Sequence, residues 1–253
     1  MSRQEPSEPE APERVDLGSG GDGDGPDGPL EWLRWVLVTD HPTVSFGREV
    51  LVSVAGVLVV GLLLFAASGI WPPMVAVESG SMEPHMYRGD LVFVMEEHRL
   101  APGFSTGETG VVTYRTATSR DGFRKFGAYG DVIVYEADGG SGTPVIHRAR
   151  FWVEDDENWV EEANPDYLPP GQSCDSLPNC PAPHAGFITK GDNNGLYDQV
   201  AGISGPVRPA WIKGTAEFRI PWLGYVRLYF SEVGARGATT FAVETRALAA
   251  PLT

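Results

Sequence analysis

The stretch VLVSVAGVLVVGLLLFAASGIW, Val50–Trp71, is the only apolar run of membrane length in the chain, and it contains no charged residue. About 20 apolar residues are enough for a helix to cross a bilayer. A cleaved signal peptide is a poorer interpretation, because the run starts far from the N-terminus, is longer than the usual apolar core and lacks a basic segment. The sequence therefore predicts a permanent transmembrane helix at 50–71.

The residues before this run fall into two segments. Residues 1–29 are rich in Pro, Glu, Gly and Asp and cannot bury apolar surface, so they predict a disordered acidic tail. Within the juxtamembrane segment 30–49, Leu30–Val38 contains two tryptophans and favours a short helix at the membrane interface. A helix packed on the soluble domain is the alternative.

The basic residues near the run predict its orientation. Arg34 and Arg48 precede it, and the next Lys or Arg is Arg88. Because positive charge is enriched on the cytoplasmic side, the N-terminus is expected in the cytoplasm. We therefore expect a single-pass protein of the cell membrane, with residues 72–253 forming an extracytoplasmic domain.

The domain after the run has a β pattern. Short β-rich segments alternate with Gly, Pro and Asp, which predicts a mainly β, antiparallel fold. The predicted strands are Leu91–Met95, Gly110–Tyr114, Val132–Tyr135, Val145–Val153, Phe187–Lys190 and Trp211–Arg219. Residues 99–130 and 154–184 have the character of loop insertions, and the many acids of the second indicate a solvated acidic loop.

The charge of the chain excludes one class of function and suggests an environment. The formal net charge is −15, and lysine occurs only at positions 125, 190 and 213 among 19 basic residues. Nucleic-acid binding requires a basic stripe and is therefore not expected. Abundant acid with arginine in place of lysine suggests a surface adapted to high salt, and a halophilic archaeon as the source.

The chain contains two cysteines, Cys174 and Cys180. Their spacing allows a small disulfide loop on an oxidising side of the membrane, or two free thiols in a polar loop. The cysteines and histidines do not have the spacing of a zinc site, so we expect neither a structural metal nor a cofactor.

Just beyond the apolar run, the string Ser79-Gly80-Ser81-Met82-Glu83-Pro84 predicts a constrained loop that presents Ser81 near the membrane surface. A serine hydroxyl is a weak nucleophile at neutral pH and needs a base within hydrogen-bond reach. A serine in this place therefore suggests a membrane-anchored serine protease.

Five histidines are candidates for the base. His41 precedes the apolar run and would lie on the wrong side of the membrane, while His98 and His184 occupy polar segments typical of a surface. His85 is close enough to Ser81 in sequence for a local role. His147 lies in an apolar strand, where it is either a structural residue or a functional one.

A histidine base also needs an acceptor that fixes its tautomer. The segment Thr189–Asp198 offers Asp192 and Asp198, and Asn194-Gly195 within it is a tight-turn signal. On a hairpin, both carboxylates would approach one site. Ordinary turn chemistry is the alternative for either aspartate.

Taken together, a series of short segments resembles the ordered boxes of type I signal peptidases, between about Val75 and Asp198. The segments are Ser79–Pro84, Gly89-Asp90, Gly130–Ile133, Ile146-His147-Arg148, Lys190–Asn193 and Asp198. A weaker continuation is Ile220–Tyr225. Bacterial members have lysine where this chain has His147, so the chain is similar to the archaeal and endoplasmic-reticulum branch.

The resemblance implies a role for each site residue. Ser81 would be the nucleophile and His147 the general base, with Asp198 preferred to Asp192 as the orienting acid and Asp192 supporting the site. The oxyanion hole would combine the Ser81 backbone N–H with a neighbouring donor, for which the Ser79 hydroxyl is a candidate. Lys190, the nearest rival base, better fits a structural role.

The same resemblance implies a domain of two antiparallel sheets and an activity. The enzyme would cleave secretory preproteins after a small residue and remove their signal peptides, working at the lipid bilayer and near the Sec translocon. One alternative is a related membrane-bound serine protease with other substrates. Another is a non-enzymatic β ectodomain, which would not explain the ordered Ser, His and Asp boxes.

Overall fold

The structure, a computed structural model, describes residues 28–30, 38, 42–120 and 122–231. The predicted acidic tail and interfacial helix therefore lie almost entirely outside the described residues, as does His41. The chain divides into two units, Met1–Val59 and Val60–Thr253. The sheet and all the predicted site residues belong to the second unit.

Helix α1 spans Pro42–Ser68 and is long and apolar enough to cross a membrane. It starts before the predicted Val50 because Arg48 and Glu49 continue the backbone hydrogen bonding without being apolar. It ends before the predicted Trp71 because Gly69 takes a φ of +80° and donates its N–H to the Phe65 carbonyl at 2.8 Å. A left-handed glycine directly after the last turn is a common helix end.

Antiparallel strands dominate the second unit, as the sequence predicted. Six strands form one sheet in the order β1-β2-β8-β5-β6-β7, and β3 and β4 form a separate pair, so the two sheets are very unequal. The bounds are β1 Met74–Ala76, β2 Leu91–Met95, β3 Arg124–Lys125, β4 Ala128–Tyr129, β5 Val132–Tyr135, β6 Val145–Val153, β7 Gly186–Lys190 and β8 Ile212–Ile220. Two further helices are α2 Tyr114–Ser119 and α3 Asp198–Ala201, and residues 224–231 are also helical.

The strand predicted at Gly110–Tyr114 is wrong. The backbone N–H and C=O of Val112 bond to the Asp131 carboxylate at 2.8 Å and to the Asp131 N–H at 2.7 Å, so they do not join a ladder. Thr113 then caps α2 by accepting a hydrogen bond from the Thr116 N–H. A capping threonine satisfies one of the free donors of a helix start, which is why the helix begins at Tyr114.

The segment 154–184 is more than the solvated acidic loop that its composition suggested. Asp155 and Asp156 are exposed, but Trp159 is fully buried in an apolar cluster with Phe151 and Tyr197. The segment contains three short 3-10 helices, at Trp159–Glu161, Pro165–Tyr167 and Cys174–Ser176. A disulfide joins Cys174 and Cys180, which decides between the two possibilities for these cysteines.

The segment 99–130, also predicted as a loop insertion, contains α2 and the β3–β4 pair. Near its start, Arg99 donates to the carbonyls of Ala66 and Ala67 at 2.6 and 3.0 Å. These are carbonyls of the last turn of α1, which accept no hydrogen bond from within the helix. Ser68 adds a hydrogen bond of 2.7 Å to the Val94 carbonyl in β2. The last turn of α1 is therefore tied to the sheet.

Candidate active site

Ser81, His147 and Asp198 form a continuous hydrogen-bonded series. Ser81 Oγ lies 3.0 Å from His147 Nε2, and His147 Nδ1 lies 2.7 Å from Asp198 Oδ2. A carboxylate only accepts hydrogen bonds, so it favours the tautomer with the proton on Nδ1. Nε2 is then free to accept from the serine hydroxyl. The side chains of His147 and Asp198 are only 5% and 0% exposed, so the bond between them is shielded from water.

The sheet and the start of a short helix position the base and the acid. His147 is the third residue of β6, the strand next to the edge strand β7, and pairs in register with Ile133 of β5. Asp198 is the first residue of α3 and is fully buried. The Asp198 carboxylate therefore lies at a helix N-terminus, where a negative charge is favoured.

The loop that carries Ser81 is held in two ways. Met82 is 1% exposed and packs in the apolar cluster formed by β2 and β5. Asn193 donates its backbone N–H to the Ser81 carbonyl at 2.8 Å and its side-chain amide to the Gly80 carbonyl at 3.1 Å. These contacts fix the backbone on both sides of the Ser81 hydroxyl.

The hairpin predicted around Asn194-Gly195 does not form, because the chain turns directly into α3 instead of returning as a strand. The two aspartates consequently face different partners. Asp192 accepts from Arg148 Nε at 2.8 Å and Nη2 at 2.6 Å, and its Oδ2 lies 2.8 Å from His85 Nδ1. Burial raises the pKa of Asp192, but the hydrogen bonds and charge of Arg148 outweigh it, and the net pKa is lowered. Asp198 alone of these two bonds to His147.

A fourth side chain, Tyr135, completes the series and was missed by sequence reasoning. Its hydroxyl donates to Asp198 Oδ2 at 2.9 Å and lies 3.2 Å from Thr189 Oγ1. Burial, and next the negative charge of Asp198, raise the pKa of Tyr135 well above its usual value, which keeps the hydroxyl a donor. The other oxygen, Asp198 Oδ1, is buried and has no hydrogen-bond partner among the described residues.

Ser81 and His147 open onto a cavity of about 1060 Å³. Its wall is mainly apolar and includes Val77, Val134 and Ile146. Strand β1, at the edge of the large sheet, contributes Val75 and Ala76. Because an edge strand has unpaired backbone groups, an extended peptide can add to it as a further strand.

Comparison with known proteins identifies relatives of this chain. No protein-family model matches it. The signal peptidase complex catalytic subunit SEC11 of Eremothecium gossypii is 30% identical over 165 residues, 63% of this chain and 66% of the relative. The SEC11 subunit of Schizophyllum commune is 29% identical over 190 residues, 70% and 77% of the two chains. That of Talaromyces marneffei is 29% identical over 194 residues, 71% and 82%. The chain is a homologue of the type I signal peptidases of the endoplasmic-reticulum type.

Next to the candidate nucleophile, Ser79 Oγ lies 3.2 Å from Ser81 Oγ. Lys190, the rival base, instead donates to the Gly191 carbonyl at 2.8 Å and lies 4.3 Å from the centre of the Tyr167 ring. Burial and the charge of Arg150 lower the pKa of Lys190. The hydrogen bonds of Lys190 thus serve the Gly-Asp loop, and the Ser81 hydroxyl bonds to His147.

The remaining described histidines lie outside the Ser–His–Asp series. His85 pairs with Asp192, and His184 Nδ1 lies 3.0 Å from the Ala185 carbonyl. His98 groups with Glu96 and Glu97 in a cluster of potential metal ligands. Both His98 nitrogens already have partners within 2.9 Å, Glu96 Oε1 and the Glu108 carbonyl, so this cluster is explained by hydrogen bonding.

Proposed function

We propose that the chain is a membrane-anchored serine endopeptidase that removes signal peptides from secretory preproteins, with Ser81 as nucleophile, His147 as general base and Asp198 as the acid that orients it. The observation that carries this proposal is the series of hydrogen bonds from Ser81 to Asp198 at the wall of an apolar cavity. Homology with signal peptidase catalytic subunits supports the substrate class.

In the reaction, Ser81 Oγ attacks the carbonyl of the scissile peptide bond while His147 Nε2 accepts the serine proton. The same nitrogen returns the proton to the leaving amine, which leaves an acyl-enzyme on Ser81. A water molecule, activated by His147, then releases the signal peptide. The Asp198 carboxylate stabilises the imidazolium that forms at each step.

The negative oxygen of the tetrahedral intermediate needs donors that are already in place. The Ser81 backbone N–H is one, and the Ser79 hydroxyl, 3.2 Å from Ser81 Oγ, is the side chain we assign as the second. Losing one such donor typically costs about 3–4 kcal/mol of transition-state stabilisation. Asp192 has a supporting role, because its loop holds the Ser81 backbone through the neighbouring Asn193.

The substrate would bind in extended form along β1, with the small residues before the cleavage site in the apolar cavity. Signal peptides have small residues at these positions. Because α1 is long enough to anchor the enzyme, substrate and enzyme would meet within one membrane, which raises their effective concentration.

We place the catalytic domain outside the cytoplasm and the N-terminus inside it, in a cell membrane near the Sec translocon. The arginines before the apolar run and the disulfide between Cys174 and Cys180 support this orientation, since disulfides persist in oxidising compartments. The net charge of −15 supports a high-salt habitat such as that of a halophilic archaeon.

The test uses the full chain in proteoliposomes with a secretory preprotein. Ser81→Ala and His147→Ala should each abolish cleavage and leave membrane insertion intact. The exposed Ser141 and His98 provide the matched controls Ser141→Ala and His98→Ala, which should retain activity. Full activity in either site variant would refute the mechanism. Sequencing the new N-terminus tests the substrate, because a cut that does not follow a small-residue motif would favour a protease with other substrates.

A further inference from the structure

Asp198, the acid of the Ser81–His147–Asp198 series, lies on a helix that is too short to be stable by itself. Helix α3 has four residues, Asp198–Ala201, and ends at the left-handed Gly202. Isolated helices of this length are unstable in water, so the position of Asp198 depends on contacts from elsewhere. Many of these contacts come from the segment 154–184.

This segment holds the residues on both sides of Asp198. Before it, the Tyr197 N–H donates to the Tyr167 carbonyl at 3.3 Å, and the Tyr197 hydroxyl accepts from the Asn164 N–H at 3.1 Å. After it, the Asn179 side-chain amide donates to the Gln199 carbonyl at 3.1 Å. The backbone of the acid is thus fixed from two directions by one segment.

Aromatic packing and the disulfide make this segment rigid. The ring of Tyr197 lies edge-on to Tyr167 and Trp159, with centroids 5.5 and 6.1 Å apart. The buried Trp159 donates its indole N–H to the Asn179 carbonyl at 2.7 Å. Asn179 directly precedes Cys180, which is bonded to Cys174, so the cross-link closes the loop that presents the Asn179 amide.

We propose that the disulfide-closed segment 154–184 is a clamp that positions Asp198 for catalysis, and that Asn179 is its main positioning residue. The inference rests on the proposed function, because it assigns Asp198 to the reaction. Asn179 touches neither substrate nor the reacting atoms and acts through the Gln199 backbone. A displaced Asp198 would leave His147 misoriented, and a misplacement of about 1 Å can cost up to about a hundredfold in rate.

Two variants of Asn179 separate its amide from its backbone. Its φ of +58° strains an alanine but suits a glycine. We expect Asn179→Gly and Asn179→Ala both to lower kcat about tenfold or more, with KM unchanged. The exposed Asp175 lies in the same loop, and Asp175→Asn should retain the wild-type kcat. A wild-type kcat in Asn179→Gly would overturn the role of the amide. This holds even if the unfolding temperature of the variant falls, because a purely structural role would lower stability without lowering kcat.

Reduction tests the cross-link in the unmodified protein. Dithiothreitol should lower the kcat of the wild type, and the Cys174→Ser/Cys180→Ser double variant should have the lower kcat from the start and no response to the reagent. An unchanged kcat in the double variant would overturn the role of the disulfide.

A second readout is independent of cleavage. In ¹⁵N-histidine spectra, assigned with His147→Gln, the His147 Nδ1–H resonance reports its hydrogen bond to Asp198. We expect this resonance to shift in Asn179→Gly and stay in place in Asp175→Asn. An unshifted resonance in Asn179→Gly would refute the clamp even if the wild type cleaved no preprotein. A resonance that shifts in Asn179→Gly, together with a wild type that cleaves no preprotein, would refute the proposed function alone.

Discussion

Tyr135 donates its hydroxyl hydrogen to the same oxygen of Asp198 that bonds to His147, at 2.9 Å against 2.7 Å. Two donors on one carboxylate oxygen fix its position. Hydrogen bonds to ionised groups are among the stronger ones in proteins. Tyr135 therefore helps to hold Asp198, although it is remote from Ser81 in sequence.

Tyr135→Phe should lower kcat about tenfold without changing KM, because the phenyl ring fills the same space and only the hydroxyl, with its hydrogen bonds to Asp198 and Thr189, is lost. Steady-state kinetics with a preprotein peptide measures the effect. Tyr129→Phe is the matched control, since the Tyr129 ring stacks under Arg124 outside the site. Equal kcat values for Tyr135→Phe and the wild type would contradict the supporting role.

The two aspartates should fail in different ways. Asp198→Asn preserves shape but removes the charge that fixes the His147 tautomer, so kcat should fall by roughly four orders of magnitude with little change in unfolding temperature. Asp192→Asn leaves the fully buried Arg148 without its carboxylate, which should destabilise the fold by about 3–5 kcal/mol. Kinetics and thermal unfolding, measured on both variants, separate the roles. A folded, stable and inactive Asp192→Asn enzyme would reverse the assignment.

Much of this site could be predicted from the sequence because its strands are local patterns. The bounds of β2, β5 and β6 agree with their apolar runs, and that agreement places His147 on the sheet. The order of the Ser, His and Asp boxes indicated which side chains belong together. A buried strand is apolar for reasons of packing, and this regularity is visible without a structure.

The rest depends on contacts that sequence spacing does not encode. Nothing local distinguishes Tyr135 from another aromatic residue at a strand end. Its role comes from the hydrogen bond to Asp198, which is 63 positions away in sequence. The acids of 154–184 suggested a solvated loop, whereas buried Trp159 makes the segment part of the core. The tight-turn signal at Asn194-Gly195 was a sound local cue, but tertiary contacts turned the chain into a helix.

His147→Lys tests whether the site can use a lysine as its general base. The imidazole is 5% exposed and bridges two atoms at 2.7 and 3.0 Å, a span that a flexible ammonium cannot reproduce. A lysine beside the buried Asp198 would form an ion pair and stay protonated, so it could not accept the Ser81 proton. We expect activity as low as in Ser81→Ala. Substantial cleavage would show that the pocket also accommodates a lysine base.

The acidic surface should make the fold dependent on salt. With a net charge of −15, repulsion between carboxylates is strong at low ionic strength and is screened as salt is added. The unfolding temperature should therefore rise between about 0.1 and 2 M KCl. Asp155 and Asp156 are exposed, so the double variant Asp155→Asn/Asp156→Asn should depend less on salt. An unfolding temperature that is independent of KCl would contradict the proposed adaptation to high salt.

Asp131 should make stability depend on pH. Its carboxylate is buried against the Val112 N–H, and burial raises its pKa from 3.8 to about 7. The negative charge of Glu217 also raises this pKa, whereas the positive charges of Lys125 and Arg148 lower it by less than burial raises it. The folded state therefore binds a proton more tightly than the unfolded state. The stability from this group is fully present below about pH 4 and is lost as the pH rises to about 7.

The size of this effect follows from the shift. About three pKa units correspond to roughly 4 kcal/mol of stability across that window. Asp131→Asn stays neutral and can still accept the Val112 hydrogen bond, so its unfolding temperature should fall much less than that of the wild type between pH 5 and pH 8. Thermal unfolding in detergent at both pH values measures this difference, with Asp175→Asn as the exposed control. Parallel pH profiles for Asp131→Asn and the wild type would show that Asp131 is already ionised in the fold at pH 5.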